Sequence, residues 1–132
     1  MTRYIHFYSE RFKPDPGEDE EVNPGIYGKK LATWITDELP ESGIKTNRTY
    51  PEDWGWEIDV STDKINRYIG VRNVDDTDNE WVVFIEIRSK IIMKLLGKSQ
   101  DEEKEIEEIL TSLEPILNNE ESIKDLDIDY KL

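Results

Sequence analysis

Three runs of alternating side chains, joined by short polar connections, constrain this chain more than any other feature. In the run from Trp54 to Val60, Trp54, Trp56, Ile58 and Val60 fall on one side of an extended backbone, and Gly55, Glu57 and Asp59 on the other. The turn Ser61-Thr62-Asp63-Lys64 leads to a second run, Ile65 to Val74, and the acidic turn Asp75-Asp76-Thr77-Asp78-Asn79 to a third, Trp81 to Arg88. Such connections are too short for the crossover that parallel strands need, so the three runs read as an antiparallel meander. In the third run, Trp81, Val83, Ile85 and Ile87 make one apolar face, while the other begins with Val82 and Phe84 and ends with Glu86 and Arg88. A strand apolar on both sides belongs at the centre of a sheet, covered by helices on one side and partly on the other.

The flanking segments supply the rest of a small domain. Arg3 to Phe12 is rich in β-prone side chains and reads as a first strand. Lys13 to Glu21 is a turn-rich acidic loop. Asn23-Pro24 has the form of a helix start, with Asn as cap and Pro at the first helical position. Tyr27, Leu31, Trp34 or Ile35, and Leu39 then form an apolar stripe, which Pro40 and Gly43 bring to an end. The acids Glu18 to Glu21 stand before the positive end of this helix, where charge-dipole attraction favours them. Ile44 to Tyr50 reads as a short strand or an extended loop.

Ser89 is placed to cap a short helix through Ile91, Ile92, Leu95 and Leu96, closed by Gly97. Ser99 to Glu102 has capping-box spacing, and Ile106, Ile109, Leu110, Leu113 and Leu117 then recur on one face of a second helix. Pro115 is expected to kink or end it. Asn118 to Leu132 adds a final turn or an edge strand. The sum is one domain, residues 1–132, of α+β class: a two-layer fold with an antiparallel meander sheet and helices mainly on one face.

Charge narrows the range of partners. The chain carries 31 acids against 17 bases, a net charge of -14. Such a field repels phosphate backbones and anionic lipid, so the expectation is no nucleic acid, no membrane and, if any macromolecule, a basic protein partner. With no cysteine there is no disulfide, thiolate metal site or cysteine nucleophile. The N-terminal segment has no apolar core and no run spans a bilayer, which makes a cytoplasmic location the expectation.

The stretch Asp19-Glu20-Glu21-Val22-Asn23-Pro24-Gly25-Ile26-Tyr27-Gly28-Lys29-Lys30-Leu31-Ala32-Thr33-Trp34, with Glu52-Asp53-Trp54-Gly55-Trp56 after it, resembles a set of small bacterial proteins of uncharacterised function. They share the acidic loop, the Asn-Pro-Gly helix start, a Leu-Ala-x-Trp helix and the Glu-Asp-Trp-Gly-Trp lead into a strand. The resemblance spans residues 18–88, leaves the acidic helical tail outside it, and implies no particular activity.

Glu52 and Asp53 are the candidate catalytic carboxylates, since a pair can divide acid and base roles where its environments separate the two pKa values. The plainer reading has them bonded to nearby backbone donors. Trp54 and Trp56 are expected to pack together against the helix bearing Trp34, and Gly55 leaves a gap opposite them for another backbone or a ligand. On that opposite face Glu57 and Asp59 come near Tyr68 or Arg72, with Phe84, Glu86 and Arg88 beyond: cross-strand ion pairs, or a mixed aromatic and charged binding face.

The candidate binding set is therefore Glu52, Asp53, Gly55, Glu57, Asp59, Arg72 and Glu86. The acidic loop lacks the alternating ligands and central glycine of an EF-hand, His6 is the single histidine, and no glycine loop fits a phosphate, so neither metal nor cofactor is expected. Two functions compete: an acidic binding protein of immunity or inhibitor type, which is preferred, and a small carboxylate enzyme using Glu52 and Asp53. An assembly module using the C-terminal helix is a third, and the oligomeric state stays open.

Overall fold

The computed structural model describes residues 2–63, 65–88, 95 and 102–132. It places one six-stranded antiparallel sheet beneath two helices. The strands are β1 (Thr2–Tyr8), β2 (Arg48–Glu52), β3 (Gly55–Asp59), β4 (Asn66–Asn73), β5 (Glu80–Arg88) and β6 (Lys124–Asp127). The helices are α1 (Lys29–Glu38) and α2 (Glu102–Asn119). Across the sheet the order is β2-β3-β4-β5-β1-β6, so β5 is interior and β2 and β6 are the edges.

Register explains which side is buried. Trp56 lies opposite Val71, Ile58 opposite Ile69, Ile69 opposite Ile85, Val71 opposite Val83, and Ile5 opposite Val83. These residues share one face, and Leu31, Ala32 and Ile35 of α1 together with Ile106, Ile109, Leu110, Leu113 and Leu117 of α2 complete a single core. Arg67 also sits on this face, 5% exposed. It donates to the Val60 carbonyl at 3.1 Å and, through Nη1, to Glu105 and Glu108 of α2 at 2.9 and 3.3 Å. The aliphatic stem of Arg67 is packed while its charge is matched, so the pair fixes how α2 sits on β4.

Several local expectations are corrected. The first strand ends at Tyr8, and Phe12 reaches the core from the following loop, its ring 5.2 Å from that of Trp34. α1 begins at Lys29 instead of at Pro24. Asn23 does not cap it, because its side-chain amide donates to the Asp53 carbonyl at 2.7 Å. The cap comes from farther back: the Glu18 carboxylate accepts from the Gly28 and Lys29 amides at 3.0 and 3.4 Å. A buried acid at the positive end of the helix thus does what the local asparagine was expected to do.

α1 closes as expected, through a 3-10 turn at Leu39–Ser42 and Gly43 in the left-handed region at φ 94°. α2, by contrast, continues through Pro115 to Asn119. The proline is exposed and close to the C-terminal end, while Leu113 and Leu117 on either side are buried, so packing outweighs the lost donor. The tail forms β6, an edge strand on β1. The expected short helix at residues 89–97 and the capping box lie outside the described residues, apart from Leu95 and Glu102.

Candidate functional site

Strand alternation that buries one face fixes what the other presents. Away from the helices the sheet carries Tyr50 on β2, Glu57 and Asp59 on β3, Tyr68, Gly70 and Arg72 on β4, Val82, Phe84, Glu86 and Arg88 on β5, and Tyr4, His6 and Tyr8 on β1. Among the described residues no helix covers it. Two differently built regions share this surface.

Toward β2 the surface is a closed polar network. Glu57 is only 2% exposed, yet its carboxylate is fully engaged: Arg88 donates to it at 2.7 Å and the Tyr50 hydroxyl donates to the other oxygen. The same Arg88 nitrogen reaches Glu86 at 3.0 Å, and its guanidinium lies 4.1 Å from the centre of the Tyr68 ring. Burial weakens the hold of Arg88 on its proton, but the bonds and charges of Glu86 and Glu57 outweigh it, so its pKa rises. The Tyr50 phenol is also raised, first by burial and then by its bond to Glu57. Asp59 lies apart from this network and accepts from the Ser61 amide at 2.9 Å.

Toward β1 the surface opens into a cleft of about 510 Å³. Its walls include Tyr4, Trp54, Phe84 and Tyr130, with Val82 also on its lining. The Phe84 ring lies directly over Gly70, where a Cβ would come within 2.0–2.5 Å of it. Glycine at this position therefore lets the aromatic ring lie flat on the sheet. Trp54 packs on Phe84 with ring centres 5.0 Å apart, and Tyr4 approaches from the other side at 6.0 Å. Arg72 and Arg88 also line the cleft, as do Asp75 and Glu86; Arg72 is tied to Asp75 at 2.6 Å.

The chain after β6 supplies the far wall. Tyr130 stacks on His6, with ring centres 4.4 Å apart and planes inclined by 16°, and His6 is bonded to Glu80 at 2.7 Å. Asp129 is paired with Arg3 at 2.6 Å. These contacts hold the segment against β1.

The placement of Trp54 corrects the expectation that both tryptophans pack under the helix. Asp53 and Trp54 are the two turn residues of the β2–β3 hairpin, so alternation stops before Trp54, which turns to the uncovered face while Trp56 stays in the core. Gly55 is filled by protein: a Cβ there would meet the Val71 carbonyl of β4 at 2.4 Å. Glu52 is half-buried opposite Gly55, and Asp53 is exposed; neither lines the cleft. Of the candidate binding residues, the structure brings Glu57 and Glu86 together around Arg88 and puts Arg72 on the same face, one strand away from Glu86.

Sequence reasoning missed Tyr4, Tyr50 and Tyr130. Tyr4 was legible, since Tyr4, His6 and Tyr8 alternate with Ile5 and Phe7. Tyr130 follows an edge strand of four residues and carries no periodic signal. Among the described residues no three histidine, aspartate or glutamate side chains converge as metal ligands, and no helix is long and apolar enough to cross a membrane. Comparison of the chain with protein-family models, with curated proteins and with solved structures returns no match.

Proposed function

We propose that the protein is a non-enzymatic binding protein, of immunity or inhibitor type, that occupies a basic protein partner with the uncovered face of its sheet. The observation that carries this reading is the difference between the two faces. One is sealed by two helices, while the other presents Tyr4, Tyr8, Trp54, Tyr68, Phe84 and Tyr130 on a chain of net charge -14. Aromatic side chains with arginines among them are enriched at protein interfaces, and the excess of acid on the chain steers a basic surface toward them.

The geometry also weakens the catalytic alternative. Glu52 and Asp53 do not line the cleft, and Glu57, a carboxylate buried near it, is engaged by Tyr50 and Arg88. The test is retention of purified basic proteins on the immobilised chain at about 50 mM and about 500 mM salt. Retention at low salt, loss at high salt, and loss in a Tyr68→Ala/Trp54→Ala variant that keeps its circular dichroism are expected. Failure to retain any basic protein, or equal retention by the variant, overturns the proposal.

A further inference from the structure

We infer that the cleft bounded by Trp54 and Tyr130 is an anchor pocket that accepts one uncharged aromatic or large aliphatic side chain from a basic protein partner. The inference rests on the reading of the uncovered face as a docking surface and specifies what that surface grips.

The first argument is the charge of the cleft itself. Its two arginines are already matched: Arg72 by Asp75, and Arg88 by Glu57 and Glu86. A cationic side chain entering here has to compete with an arginine for the same carboxylates. An anionic one has to approach those carboxylates on a molecule of charge -14. A neutral side chain does neither, and it gains contact with Tyr4, Trp54, Phe84 and Val82.

The second argument is the surroundings. Glu52 and Asp53 immediately precede Trp54, and Asp127 stands three positions before Tyr130. None of these three acids is in an ion pair among the described residues. An aromatic floor whose arginines are already paired, with unpaired acids on the adjoining segments, is the layout of an interface hot spot: an anchor side chain in a desolvated centre, with charges around it that select and orient the partner. It also assigns Glu52 and Asp53 a role as rim charges.

The pocket is pre-formed. The Phe84 ring is laid down by the absence of a side chain at Gly70, and Tyr130 is held by its stack on His6. Little ordering is left to be lost when a partner binds, which favours affinity.

The experiment is an NMR titration of the isotope-labelled protein with three probes: the peptides Lys-Lys-Trp-Lys-Lys and Lys-Lys-Ala-Lys-Lys, and the small molecule N-acetyltryptophanamide. The Trp-centred peptide is expected to bind about tenfold more tightly than the Ala-centred one, with shifts centred on Val82, Phe84 and the Trp54 indole. Trp54→Ala should erase that difference, bringing the Trp-centred peptide down to the affinity of the Ala-centred one. Equal affinity of the two peptides overturns the anchor while leaving charge-driven docking intact. Tight binding of N-acetyltryptophanamide alone identifies a small-molecule site and overturns the inference. So does a dimer in sedimentation that Trp54→Ala abolishes, which would make a second copy the occupant. An acidic Glu-Glu-Trp-Glu-Glu peptide binding as well as the basic one removes the basic-partner reading too.

Discussion

Trp54 and Trp56 are two positions apart and on opposite sides of the sheet. Trp56 is 5% exposed, beneath the Lys29 ammonium at 5.4 Å, and its indole N–H has no hydrogen-bond partner among the described residues. Trp54 is half-buried on Phe84 at the rim of the cleft. Residue type alone does not separate them. The two-residue turn does, because it resets the alternation between one tryptophan and the next. The difference teaches that this fold uses one aromatic type for two ends: closing a core and furnishing a surface.

The largest expected effect tests that division directly. Trp56→Ala should cost about 3–5 kcal/mol in urea unfolding, as deletion of a buried indole does. Trp56→Phe should cost far less, since it also removes a buried N–H that finds no partner. Trp54→Ala should cost about 1 kcal/mol, the worth of one aromatic pair, while removing the preference for the Trp-centred peptide. Equal losses for Trp54→Ala and Trp56→Ala would break the comparison.

The arginine pairs on the two faces sharpen it. Arg67 faces the helices and Arg88 the uncovered side, and on that side burial is lopsided: the Glu57 side chain is 2% exposed and that of Arg88 44%. Removing the arginine leaves a sealed carboxylate with Tyr50 alone, whereas removing the acid leaves a solvated arginine still paired to Glu86. Arg88→Ala is therefore expected to destabilise by about 2 kcal/mol, the cost of an under-satisfied buried charge, and Glu57→Gln by clearly less. Chemical denaturation of both variants decides; the reverse order would mean that the network is open to water.

The smallest effect is in the pH dependence. The Tyr50 pKa is raised in the folded protein, by burial and by Glu57, so the protonated phenol is favoured by folding. Its contribution is complete below the ordinary tyrosine value of about 10 and is lost as pH rises above it, where the unfolded chain ionises first. The denaturation midpoint should fall more steeply above pH 10 in the wild type than in Tyr50→Phe. Parallel curves would show that Tyr50 is not engaged.

Much of this architecture was legible in the chain. The meander followed from three alternating runs, and the α2 core stripe from Ile106, Ile109, Leu110, Leu113 and Leu117, because periodicity records burial directly. The start of α1 was not, because its cap is Glu18, ten residues before the Gly28 amide that it receives, and local capping rules look only at neighbours. The cleft was legible in part. Phe84, Glu86 and Arg72 were on the correct face and the alternation of β1 carried Tyr4, but Tyr130 meets the cleft through a tertiary contact that joins opposite ends of the chain. Trp54 was misplaced because a hairpin turn and a strand continuation look alike when both flanks alternate.

The sheet edges bear on how the molecule meets others. β2, at one edge, contains Pro51, which cannot donate to an added strand. β6, at the other, is four residues long, carries Lys124, Asp125 and Asp127, and holds Asp125 at φ 53°. Both margins are thus poor templates for extending the ladder, which guards the chain against edge-to-edge polymerisation. Contact is directed to side chains instead of backbone, and so to surfaces that tell one partner from another.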